Sequence, residues 1–142
     1  MSGFIPTSIP GKYQHYKNED VEDYFSAIGV PYMVRKMVAM SSPVMEITLD
    51  GENMTIKTSY LLSTVENTFQ LGVEYEENMP YSIMRSVTKI VNDNEVVTES
   101  VILETGAKCG RHLLFTDDEC VVTLTHERVQ TPGKRYFRKV QQ

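Results

Sequence analysis

From Pro43 onward the 142-residue chain shows one pattern, short runs in which apolar and polar residues alternate between polar turns. Alternation with period two puts successive side chains on opposite sheet faces, so these runs read as half-buried strands. Met45, Ile47 and Leu49 alternate with Glu46 and Thr48, Asp50-Gly51 marks a tight hairpin, and Met54 and Ile56 resume the pattern against Thr55 and Lys57. Phe69, Leu71, Val73 and Tyr75 alternate with Gln70, Gly72 and Glu74, which predicts one strand. Val87 to Val91 and Glu95 to Glu104 flank Asn92-Asp93-Asn94; Leu113 to Phe115 and Cys120 to His126 flank Thr116-Asp117-Asp118. Thr131-Pro132-Gly133 predicts a last turn into the run GKRYFRKV, Gly133 to Val140. Turns at this spacing restrict the chain to an antiparallel sandwich or barrel.

The last runs choose between the two. In Gly133 to Val140, Arg135, Phe137 and Lys139 share one face while Lys134, Tyr136, Arg138 and Val140 share the other, so neither is cleanly apolar. Alone, these eight residues read as a charged edge strand. Cys120 to His126 also carries polar side chains on either face, which a dry sandwich core does not accept. A closed barrel with a partly polar interior does, and a polar interior implies a ligand cavity, because unpartnered buried polar groups cost about 1–3 kcal/mol each.

Helical periodicity is confined to residues 18–41. Asn18 is the expected N-cap of a first helix, followed by Glu19, Asp20, Glu22 and Asp23 at its positive end. Val21, Tyr24, Phe25 and Ile28 form its apolar face, and Gly29 is the expected left-handed stop. Pro31 fits the first turn of a second helix that ends before Pro43. Apart from Arg35 and Lys36 that helix is apolar around most of its surface, as a buried core helix or a lid over an apolar space would be.

A chain of 142 residues suits a single domain, residues 1–142, that buries enough surface to need no staples. Its net charge of −5 offers no broad attraction for nucleic acid. No run resembles a signal peptide or a membrane span, so a cytoplasmic location is expected and the Asn53-Met54-Thr55 triplet would go unglycosylated. Cys109 and Cys120 lack metal-ligand spacing and read as small buried hydrophobes. His15, His112 and His126 are scattered, and no nucleophile elbow, phosphate-cradling loop or HExxH pattern supports an enzyme or a metal site.

From Gly11 to Val140 the chain resembles the intracellular lipid-binding proteins, the fatty-acid-binding and cellular retinoid-binding family. The matching pieces are Gly11-Lys12-Tyr13, Asn18-Glu19 through Tyr24, Gly29-Val30, Arg35-Lys36, Pro43, Phe69 through Tyr75, Arg111, Thr123 through His126, and Arg135 with its aromatic neighbours. The resemblance implies an all-β, ten-stranded antiparallel up-and-down barrel with a helix-turn-helix lid over a lipid cavity. It implies that Arg135 and Arg111 hold a ligand carboxylate; a one-residue slip in register would turn His112 inward in place of Arg111. The family pattern has a tyrosine two residues after the second arginine, where this chain has Phe137, and Tyr136 lies on the other strand face. The ligand tail and portal are assigned to Phe137, Tyr24, Val34, Met37, Leu62 and Leu124, with Met79-Pro80-Tyr81 near the opening.

A guanidinium cannot shed its proton, so an inward arginine needs hydrogen bonds and a counter-charge, which a carboxylate ligand supplies through short charge-assisted bonds. The expected function is a monomeric carrier of a long-chain fatty acid, with no cofactor and no chemistry on the ligand. A retinoic-acid carrier is the nearest alternative. A lipid-transfer protein docking on membranes through Arg35, Lys36 and the second helix is another, opposed by the acidic first helix; transient membrane contact fits any of the carriers.

Overall fold

A computed structural model describes residues 8–140. Strand β1 (Gly11–Glu19) leads into helices α1 (Val21–Ala27) and α2 (Tyr32–Met40). Nine strands follow: β2 (Val44–Asp50), β3 (Asn53–Ser59), β4 (Thr64–Gln70), β5 (Tyr75–Met79), β6 (Ser82–Asn92), β7 (Glu95–Ile102), β8 (Lys108–Phe115), β9 (Glu119–His126) and β10 (Val129–Lys139). They form one ten-stranded sheet in the order β4-β3-β2-β1-β10-β9-β8-β7-β6-β5, antiparallel throughout. Pairing of the first strand with the last curls the sheet into a nearly closed barrel, and β4 and β5, consecutive in the chain, are its two unpaired edges.

Most hairpins stand where the turn chemistry puts them. Asp50 pairs with Asn53 around Gly51-Glu52, with Gly51 at φ +62°, a conformation side chains with a Cβ rarely adopt. Asn92 pairs with Glu95 around Asp93-Asn94. Two expectations fail. Phe69 to Tyr75 is not one strand: the chain turns after Gln70, with Gly72 at φ +79°, and begins β5 at Tyr75. Phe69 and Tyr75 still share the interior, their rings stacked at 4.2 Å across the turn, so the alternation records a common destination rather than a common strand. Nor is Thr131-Pro132-Gly133 the last turn: Val129 pairs with His126 around Glu127-Arg128, and the register shift between Val129 and Gly133 marks a bulge, a place where a strand tolerates proline.

Asn18 does not cap α1. It lies in β1, and the cap position is Asp20, in the left-handed region at φ 55°, whose carbonyl accepts from the Tyr24 amide at 2.9 Å. Gly29 ends α1 as expected, at φ +86°. Val21, Tyr24 and Phe25 bury against β10, where Gly133 permits close approach: a Cβ there would lie 3.1 Å from Tyr24 Cβ. The lid reading of α2 holds over the buried-helix reading, because none of its residues is buried and Met33, Met37 and Met40 are exposed. Among the described residues no helix is long and apolar enough to cross a membrane.

The barrel interior divides in two. One end is packed by Tyr13, Ile47, Met54, Phe115 and Cys120, closed by Ile9 and by Tyr13, whose single hydroxyl proton lies within reach of the carbonyls of both Ser8 and Ile9. Across β5 to β7 the inner face is partly polar: Glu77, Ser86, Thr88, Thr98 and Ser100 are all buried.

Candidate functional site

The polar side chains pair with one another in ladders. Thr88 and Thr98 are hydrogen-bonded at 2.7 Å, and the Tyr75 hydroxyl joins them at 2.8 Å. Ser86 donates to Glu77 Oε1 at 2.9 Å and sits 2.7 Å from Ser100, which must therefore donate to it, since a serine has one proton to give.

Arg111 completes this network. The register pairs it with Thr98 and Leu124, both on the inner side, and leaves His112 outside with Glu95. Its Nη2 donates to both Glu77 oxygens, at 2.9 and 2.8 Å. Burial pushes this guanidinium down, but the Glu77 carboxylate outweighs it and holds the group above its ordinary value. Arg111 therefore already owns a buried counter-ion.

Arg135 does not. It is 8% exposed, and no carboxylate of the described residues pairs with it. Its Nε donates to Asn18 Oδ1 at 3.1 Å, and its Nη2 to the Ser41 carbonyl at 2.7 Å and hydroxyl at 3.2 Å. Burial pushes it below its ordinary value, with Tyr60 pulling the other way. Asn18 is the hub of this cluster: Oδ1 also receives His15 Nε2 at 2.7 Å, and Nδ2 donates to the Ala39 carbonyl at the end of α2. Burial and the Arg135 charge lower the His15 pKa, and the Asn18 bond opposes them only partly.

Both arginines line one cavity of about 220 Å³, walled by apolar side chains that include Met45, Phe69, Leu113 and Phe137. Val65, Asn67 and Phe69 of β4 face Glu77, Asn78 and Met79 of β5 across it, so the unpaired strand edges flank the cavity. A mouth of about 900 Å³ adjoins it, sharing Tyr60, Val65 and Pro80 and bordered by Met37, Met40, Ser41, Leu61 and Leu62. The mouth is within the range of small-molecule ligand pockets, about 300–1,000 Å³.

The structure thus brings together Arg111, Arg135 and Phe137 in the cavity and Met37 and Leu62 at its mouth. It places Tyr24 and Val34 in the cluster beneath α1, where the Tyr24 hydroxyl donates to the Thr125 carbonyl at 2.8 Å, and Leu124 on the inner face of β9 between that cluster and the barrel core. Of Met79-Pro80-Tyr81, Met79 and Pro80 line the cavity, while Tyr81 packs on Phe25 and burial raises its pKa to about 12. Sequence reasoning missed Glu77, Asn18, Ser41 and Tyr60. Glu77 was within reach, because β5 parity puts it on the face of Tyr75 and Met79; Tyr60 likewise continues the parity of Met54, Ile56 and Thr58.

The model of the lipocalin / cytosolic fatty-acid binding protein family matches residues 10–97. The chain belongs to this family. Members are lipid-binding carriers and not enzymes. Cellular retinoic acid-binding protein 2 of Bos taurus is 32% identical over 127 residues, 86% of this chain and 92% of the relative. A fatty acid-binding protein of Tyrophagus putrescentiae is 35% identical over 91 residues, 63% of this chain and 69% of the relative. A solved fatty-acid-binding protein from brain tissue of Drosophila melanogaster superposes with a TM-score of 0.80 at 27% identity, covering 93% of this chain and 99% of that one. Within this fatty-acid and retinoid-binding family the chain has the fold complete: barrel, helical lid and polar-ended cavity.

Proposed function

We propose that the protein is a cytoplasmic, monomeric carrier that reversibly binds a long-chain fatty acid, with the carboxylate at Arg135 and the tail in the cavity. One observation carries the reading: two arginines line the cavity, Arg111 partly buried and Arg135 buried, and of the two only Arg135 lacks a counter-ion among the described residues. A carboxylate supplies the missing charge and accepts short charge-assisted bonds from the guanidinium hydrogens that Asn18 and Ser41 leave unused. Arg111, neutralised by Glu77, contributes the donors that the ion pair leaves unused, directly or through bridging water. No cofactor takes part, and the fatty acid leaves unchanged.

The tail supplies most of the affinity. At roughly 0.8 kcal/mol per methylene, about fifteen methylenes give on the order of 12 kcal/mol gross, before association and ordering costs. The exposed rim of Met37, Met40, Leu61 and Leu62 gives a tail an apolar path inward, and its methionines adapt to different chain shapes. The same rim favours transient membrane contact during loading.

A second reading, retinoic acid as cargo, is favoured by the retinoic acid-binding relative and uses the same head-group contact. Organic extraction of the purified protein followed by mass spectrometry separates the two, as does displacement of a fluorescent fatty acid by retinoic acid. We expect a co-purifying fatty acid and a large loss of carboxylate affinity in Arg135→Gln, with a smaller loss for the matching alcohol. Equal binding of fatty acid by Arg135→Gln and the parent would refute the reading.

A further inference from the structure

A carboxylate at Arg135 has more lone pairs than that side chain can fill. Its Nε and Nη2 are already engaged with Asn18 and Ser41, and Phe137, two residues along the same inner face, has no hydroxyl. Tyr136 cannot substitute: it lies on the outer face with its hydroxyl donating to Glu19 at 2.6 Å.

Tyr60 stands where a hydroxyl is needed. It directly follows β3, on the inner parity of Met54, Ile56 and Thr58. The pairing of Val44 with Ser59 places it across from Pro43, two residues from Ser41, whose carbonyl accepts from Arg135. It lines the inner cavity with Arg135 and the mouth with Ser41, so it stands where the two spaces join. Phe69 and Phe137 are the other aromatic rings in the inner lining, and neither bears a polar atom. The Tyr60 backbone is pinned by its amide donating to the Ser63 carbonyl at 2.7 Å, while its hydroxyl has no partner among the described residues.

We propose that the Tyr60 hydroxyl donates a hydrogen bond to the carboxylate held at Arg135, making Tyr60 a specificity-determining residue that replaces the hydroxyl absent at Phe137. The proposal rests on the fatty-acid reading given above. Head-group recognition then sits on the turn between β3 and β4, next to Leu61 and Leu62, which are 97% and 93% exposed. Occupation of the site tethers that turn to β10, and the ligands favoured are anionic lipids over alcohols of equal length.

The test compares hexadecanoate and hexadecanol binding by the parent, Tyr60→Phe, Arg135→Gln and Tyr60→Phe/Phe137→Tyr. Losing a hydrogen bond to a charged acceptor predicts that Tyr60→Phe weakens hexadecanoate binding about tenfold to a hundredfold and hexadecanol binding much less. The double variant, with a hydroxyl restored on β10, should recover most of the loss. If Arg135→Gln loses hexadecanoate while Tyr60→Phe keeps it, the Tyr60 assignment alone is wrong. If Arg135→Gln keeps hexadecanoate, the carboxylate reading fails and Tyr60's role with it. Equal losses for both probes in Tyr60→Phe would mean that the ring only packs.

Discussion

Glu77 and Arg135 are buried charges with opposite histories: one is matched within the fold, the other waits for a partner. Removing the partner from a buried ion pair strands the remaining charge, which costs about 3–5 kcal/mol, whereas removing both costs far less. Glu77→Gln should therefore destabilise the lipid-free protein by about that amount in urea unfolding, and Glu77→Gln/Arg111→Gln should regain much of it. An effect of Glu77→Gln no larger than that of exposed Glu74→Gln would show that water already screens the pair. At this scale the sequence was partly legible. The alternation of GKRYFRKV put Arg135 and Phe137 on one face, the resemblance turned that face inward, and both are buried; Glu77 was missed because its partner is 34 residues away, on a strand with which β5 shares no ladder.

The helical lid meets the barrel closely where α1 lies on β10. The missing Cβ of Gly133 is the space that Tyr24 Cβ and Val21 Cα occupy at 3.1 and 3.3 Å, so even alanine pushes helix from strand. Gly133→Ala should cost about 1–3 kcal/mol and speed amide exchange in α1 before the strands. Gly29→Ala, with nothing within 4 Å, would instead suffer only from its φ of +86°. The hairpins around Gly51-Glu52 and Asp93-Asn94 were legible because turn geometry is local. The end of β4 and the bulge in β10 were not, since alternation continues through both and only pairing with neighbours shows where a strand stops. Asn18 misled for a related reason. Its side chain suits a helix cap, but the molecule uses it to join His15, Ala39 and Arg135.

For the whole molecule, that junction ties the first strand, the end of the lid and the last strand, and it carries a pH dependence. His15 has its pKa lowered in the folded state, so the unfolded chain binds the proton more readily. The stability gained by keeping His15 neutral is complete above its ordinary value of about 6.5, and is lost as pH falls through that value towards the lower folded one. His15→Gln should flatten the acid limb of melting temperature against pH below about 6.5; the slope that remains belongs in part to His126, also lowered by burial. An unchanged acid limb would place His15 in water. By itself, the sequence determined that this chain has two short helices near its start followed by antiparallel hairpins, and that polar side chains enter its interior, because periodicity and turn chemistry act over a few residues. Only the tertiary structure decided which arginine keeps a free charge. Glu77 reaches Arg111 and not Arg135 because the barrel's curvature, and no feature of local sequence, brings β5 and β8 side chains to the same point inside.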